Sequence, residues 1–186
     1  MTTAVKQETA SVIPAGTWRA DKVHSSVGFS VRHMVVSTFR GEVPDVDVTI
    51  EAGEAGARLV GVGRVASITT QDENLTGHIQ APDFLDAERH PELRFESSRI
   101  ERSGEAGVVA HGELTLKGIT RPVELHGTLE GPVEDPYGLT RIGLELTTQV
   151  DRRDFEMNWQ APLPGGGLAL GHTVTLTAHL ELVREQ

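Results

Sequence analysis

The chain has no cysteine among its 186 residues, which excludes disulfides, thiolate metal sites and cysteine nucleophiles. Aromatics are also scarce, with five Phe, two Trp and one Tyr, so bulky side chains to plug an interior are few. No apolar run approaches the ~20 residues that a helix needs to cross a bilayer. Basic residues are outnumbered, 17 Lys and Arg against 27 Asp and Glu, for a formal charge of −10. That balance argues against binding a nucleic-acid backbone, which needs a basic stripe, and against electrostatic docking of the whole molecule on anionic membranes. Met1 to Ala15 has no apolar stretch of the signal-peptide kind. Residues 1–15 are expected to be a disordered tail, residues 16–186 a single domain, and the location cytoplasmic.

What the chain does have is strand-like alternation. From Val23 to His33, apolar or small residues (Val23, Ser25, Val27, Phe29, Val31, His33) alternate with polar ones. Period two over that length predicts a half-buried strand. Similar stretches follow at Val46–Glu51, Arg58–Ile68, Leu93–Ile100, Val108–Leu116, Val123–Leu129, Thr140–Val150 and Thr173–Val183. Gly61 and Gly63 inside the second of these suit a bend or bulge. Turn signals separate the strands at 51–56, 102–107, 118–122 and 134–138. About eight short strands predict an all-β fold, a single antiparallel barrel or sandwich. Asn74 to His90, with mixed apolar spacing and Pro82 inside, reads as a short helical excursion over one end of a barrel.

Site-like patterns are few. The eight histidines contain no H-x-H or H-E-x-x-H spacing, and His24 and His33 are an odd number of positions apart, on opposite strand faces. No metal and no cofactor are expected. Asp21, His24 and Ser25 supply the residue types of a hydrolytic triad, but neighbours in a strand point to opposite sides and Ser25 has no nucleophile-elbow context. No catalytic residue is assigned; Asp21 and His24 are expected to bind backbone groups, and Arg32 a carboxylate at the far end of its strand. In Arg152-Arg153-Asp154-Phe155, Arg153 and Asp154 read as a self-compensating turn, and Arg152 as a possible clamp for an anionic head group. The Pro162–Gly167 segment reads as a flexible mouth loop, with Trp159 and Leu163 near a gate.

Five blocks in order carry a resemblance: Asp21-x-x-His24-Ser25 with Arg32-His33; His78-Ile79-Gln80-Ala81-Pro82-Asp83-Phe84-Leu85-Asp86 with His90-Pro91 and Arg94-Phe95-Glu96-Ser97; Gly112-Glu113-Leu114-Thr115-Leu116-Lys117-Gly118-Ile119-Thr120; Arg152-Arg153-Asp154-Phe155; and Gly171-His172-Thr173-Val174. Over roughly residues 16–183 the chain resembles the YceI-like family of lipocalin-like barrels. The resemblance implies a hollow barrel that binds a long-chain isoprenoid or another amphiphilic lipid, and a homodimer. Composition by itself favours a filled barrel. The apolar cavity that the resemblance implies is expected to be lined by Phe29, Val31, Phe95, Leu114 and Leu116, which alternation turns inward, and by Phe39, Phe84, Phe155 and Trp159, which are large apolar residues near strand ends. The rival readings are a hydrolase or isomerase acting on a hydrophobic substrate, and a filled barrel acting through protein contacts.

Overall fold

Alternation over the chain becomes ten antiparallel strands and one helix in the computed structural model, which describes residues 11–186. In order these are β1 (Gly16–Ala20), β2 (Ser26–His33), β3 (Ser37–Glu42), β4 (Val46–Gly53), β5 (Gly56–Arg64), α1 (Glu73–Gln80), β6 (Glu92–Ser103), β7 (Gly107–Leu116), β8 (Ile119–Glu134), β9 (Thr140–Asp151) and β10 (Leu170–Arg184). Eight of them close a barrel in the order β1-β4-β5-β6-β7-β8-β9-β10, with β10 returning to β1. Closure pairs both edges of these eight strands, and the sheet's remaining edge strand is the short β3, which pairs with β2.

The closing seam is shared. One edge of β10 pairs with β1 over Leu182–Arg184 and with β2 over Leu170–His179. β2 then folds back on β3, so this hairpin prolongs the wall at one end of the barrel, the mouth. The single long strand expected from Val23 is therefore corrected. Lys22–His24 form a turn, β1 precedes it, and β2 starts only at Ser26. β3 was not anticipated. The expected turn at 118–122 shrinks to Lys117-Gly118, and Pro122 lies within β8 opposite Glu113. Both Lys117 and Gly118 have positive φ, as a two-residue hairpin turn requires.

The tail expectation is corrected at residues 11–15. Ile13 is part of the core, and the Pro14 carbonyl accepts the Trp18 indole N–H at 2.8 Å. Residues 1–10 of that expectation lie outside the described residues.

The far half of the barrel is filled. Trp18 opposes Ile50, Ile50 opposes Leu59, and Leu182 opposes Ile142, and all five are buried. Directly opposed residues share a sheet face, so these side chains converge on one core. Each such burial contributes about 1.5–3 kcal/mol. The mouth half differs because of two residues on β5. Gly61 stands opposite Val48 and Phe95, and Gly63 opposite Val46 and Leu93, so both face the lumen and put nothing into it. The register runs unbroken through both pairings, so the bulge expected at these glycines is absent. Their effect is on volume.

No helix among the described residues is long and apolar enough to cross a membrane. On the outer face of β8, Glu124, His126, Thr128 and Glu130 are exposed.

Candidate functional site: an apolar cavity

Medium aliphatic side chains on β2, β4, β6, β7 and β10, with glycines on β5, leave a cavity of about 480 Å³ open at the mouth. That is within the ~300–1,000 Å³ typical of ligand pockets. Of the expected wall residues, Phe29, Val31, Phe39, Phe84, Phe95, Leu114, Leu116 and Trp159 all line it. Phe155 does not. It lies in a 3-10 turn, Arg152–Phe155, that carries its ring into the packed core, where it is fully buried. Leu163 is also off the wall. Reading strands alone missed Val43, Ile68, Leu75, Ile79 and Met157, which come from loops and the helix. It also passed over Val174, which alternation puts on the same face of β10 as Leu176.

Phe29 and Phe39 face each other across the β2–β3 hairpin with ring centroids 6.3 Å apart. The Phe29 ring occupies the space that a Cβ on Gly41 would need, approaching that point to 2.3 Å. This glycine lets a large ring lie flat along the wall.

The lid at the mouth is built by α1 and the loop after it. Asp72 caps the helix, its Oδ1 accepting the N–H groups of Asn74 and Leu75 at 3.0 Å each. The helix ends ahead of Pro82, as the residue before a proline avoids helical backbone. Gln80 holds the lid to the wall by donating to the carbonyls of Ala66 and Ile68. Lys117 Nζ donates to the carbonyl of Pro82 at 2.8 Å and to that of Glu156 at 3.3 Å, fastening the β7–β8 turn to both sides of the mouth. His78, Phe84 and Trp159 form an aromatic cluster there, with centroids 4.9 Å (His78–Phe84), 5.1 Å (His78–Trp159) and 5.8 Å (Phe84–Trp159) apart.

Polar groups on the wall, among them His33, Ser37, Thr38, His78 and Arg152, sit at the mouth end. Arg152 stands apart because it is only 2% exposed and has no carboxylate within ion-pairing distance among the described residues. Its Nε donates to the Gly171 carbonyl at 2.9 Å, Nη2 to that of Leu170 at 3.3 Å, and Nη1 to that of Met157. Burial pushes its pKa down, against the pull of neighbouring Asp151. Five N–H groups and three carbonyl partners leave donor capacity on a cation at the cavity wall. Arg153 points elsewhere: it pairs with Asp151, its Nε 2.9 Å from Oδ1, and not with Asp154 as expected. That ion pair and the Arg153 backbone N–H hold Asp151 at about 2, with burial opposing.

At the filled end, the residues of the apparent triad are used structurally. Asp21 Oδ1 accepts the Val23 N–H at 2.9 Å, and Oδ2 meets His24 Nδ1 at 3.1 Å. The Ser25 hydroxyl instead bonds both the carbonyl and the N–H of Glu181. Asp21, His24 and Glu181 place one donor atom each within 4.8 Å of one another, the geometry of a metal site. Arg141 already stands there, its Nη1 contacting Asp21 at 3.0 Å and Glu181 at 2.6 Å. A guanidinium at that point opposes a second cation. Among the described residues Arg32 has no carboxylate partner, contrary to expectation, and it bonds the Val35 carbonyl and Thr38 Oγ1.

Comparison with known proteins agrees with this architecture. A UPF0312 protein of Photorhabdus laumondii is 33% identical over 143 residues, 75% of this chain and 73% of the relative. The YceI protein of Escherichia coli is 30% identical over 148 residues, 77% of each. Among solved structures, BcnA of Burkholderia cenocepacia superposes with a TM-score of 0.74 at 19% identity, covering 87% of this chain and 98% of that one. A polyisoprenoid-binding domain from Saccharophagus degradans gives 0.69 at 11% identity, covering 90% and 98%. The family model of the YceI-like domain matches residues 18–182, and the chain belongs to that family.

Proposed function

We propose that the protein binds and carries a long-chain amphiphile, a polyisoprenoid or isoprenoid quinone, with its tail in the barrel cavity. The observation that carries this reading is the open apolar lumen created where Gly61 and Gly63 face Val46, Val48, Leu93 and Phe95. Each methylene taken from water contributes roughly 0.8 kcal/mol, so a long tail gains affinity without many polar contacts. Such a wall selects girth and length more than identity. The Saccharophagus domain of the same fold, described as polyisoprenoid-binding, supports the choice of ligand class.

In this reading Arg152 meets the polar head of the ligand. A buried guanidinium held only by neutral carbonyls retains attraction for an anion, and charge-assisted bonds to phosphate are among the strong ones. Arg152→Gln, which keeps hydrogen-bond donors, is expected to weaken a polyprenyl phosphate by about tenfold or more while leaving the matching alcohol nearly unchanged.

The enzyme reading finds less support. Of the titratable groups at the mouth, His78 reaches Asp83 at 3.3 Å, yet no hydroxyl nucleophile bonds His78 among the described residues. Native mass spectrometry of the freshly purified protein tests the proposal. A retained lipid mass supports it, and repeated absence of any lipid, with no uptake of added polyprenol, overturns it. A homodimer is proposed alongside, and sedimentation at monomer mass across micromolar concentrations would exclude it.

A further inference from the structure

The loop joining β2 to β3 places three large apolar residues, Met34, Val35 and Val36, at a hairpin tip. Val35 is 70% and Val36 81% exposed. Met34 and Val35 both have positive φ, 46° and 65°, and the Val36 N–H closes the turn on the His33 carbonyl at 3.2 Å. Such turns favour Asn and Gly, and a β-branched residue at positive φ is strained. Sequence and backbone therefore conflict here: the tip accepts strain and exposes apolar surface that the fold does not use.

The charge beside it is basic. Between Arg32 and Arg40 the sequence has no acidic residue, in a chain of net charge −10. Arg58, Arg64, Arg94, Arg99, Arg141 and Arg153 are each ion-paired, whereas Arg102, Arg121 and Arg184 bond only neutral oxygens among the described residues. Arg32 and Arg40 make no ion pair among the described residues and bond only within their own hairpin. The same hairpin supplies His33, Ser37 and Phe39 to the cavity mouth, and Met34 N–H bonds the Ala169 carbonyl of the opposing loop. An apolar point flanked by free arginines and continuous with the opening matches the cross-section of a lipid headgroup layer over its acyl region.

We propose that this tip is a bilayer-docking surface. Met34, Val35 and Val36 enter the headgroup–acyl boundary, Arg32 and Arg40 meet lipid phosphates, and the adjacent mouth exchanges its ligand with the membrane. The exchange step rests on the binding function proposed above, whereas docking does not. Because the remaining surface is acidic, docking is expected on zwitterionic membranes and needs no anionic lipid.

Flotation with phosphatidylcholine vesicles tests this, comparing the protein with M34N/V35G/V36S. That variant installs residues suited to the turn, so it should fold at least as well. The expected result is co-flotation of the parent, a loss of about tenfold or more in the variant, and uptake of fluorescent polyprenol slowed from vesicles but not from ethanol-delivered stock. A parent that does not float, or a variant that floats equally, overturns docking. So does sedimentation showing that the variant breaks a dimer of the parent, which would assign the tip to a second copy. Flotation intact with no uptake from either source upholds docking and overturns the exchange step together with the binding function.

Discussion

Arg141 and Asp21, 120 positions apart in the chain, meet through a 3.0 Å contact between Nη1 and Oδ2. The same guanidinium reaches Asp135 with Nε at 2.8 Å and Glu181 with Nη1 at 2.6 Å. One side chain from the start of β9 thus ties the β1–β2 turn, the β8–β9 turn and β10 at the filled end of the barrel. Exposed ion pairs contribute little singly, but a half-buried fork serving three carboxylates is a network.

Removing that fork should affect stability without affecting the cavity. Arg141→Ala leaves three carboxylates crowded together, and a melting temperature lower by several degrees is expected, with lipid affinity unchanged. It also vacates the place between Asp21, His24 and Glu181. Zinc should then raise the melting temperature of the variant and leave the parent unaffected. Equal stabilisation of both by zinc would show that the guanidinium does not exclude a metal.

Acid should unfold the protein through these carboxylates. Asp21 is held below the usual carboxylate range by its bond to His24 and by Arg141; Asp135 by the Leu139 N–H and Arg141; Asp151 is held at about 2 by Arg153. In the unfolded chain all three return to about 3.9. A folded value below the unfolded one gives stability that is complete above about pH 4 and is lost as pH falls toward the folded values. The melting temperature should therefore hold steady from pH 7 to 5 and drop below about 4. Arg141→Ala should show a shallower drop, and a melting temperature that rises on acidification would contradict the assignment.

Filling the lumen should block it. A Cβ on Gly61 meets only Val48 Cγ2, at 3.7 Å, an ordinary contact. Gly61→Phe is therefore expected to fold and to project a ring into the cavity, lowering affinity for a long-chain lipid by about tenfold or more through lost tail burial. Gly41→Phe is a poor control, since the Phe29 ring already fills that space. Undiminished lipid binding by a folded Gly61→Phe protein would place the ligand outside the barrel.

Alternation made the long strands and the inward side of Phe29, Val31, Phe95, Leu114 and Leu116 legible, because a strand has only two faces. Hollowness was not legible. It depends on Gly61 and Gly63 facing the same lumen as Val46 and Val48, and that follows from register between strands. Phe155 was misplaced because only its size and its position near a strand end pointed to the wall, and a 3-10 turn carries its ring into the packed core instead. Arg141 gave no local signal at all, since its partners come from three distant parts of the chain.

The sharpest contrast between carrier and enzyme lies between Phe29 and the pair His24 and Ser25. Phe29 lies on the cavity wall, whereas His24 and Ser25 sit at the β1–β2 turn at the filled end and are absent from that wall. Phe29→Asp would place a carboxylate against the apolar lumen, at a cost of several kcal/mol unless it is wetted. His24→Ala and Ser25→Ala remove only local bonds to Asp21 and Glu181. A carrier should lose lipid with the Phe29 change and keep affinity within a few fold in the other two. An enzyme using Asp21, His24 and Ser25 should do the reverse, binding substrate while turnover disappears. Displacement of a fluorescent polyprenol from each folded variant, with circular dichroism to establish folding, separates the two. If His24→Ala abolished a measured activity while binding persisted, the carrier reading would fall.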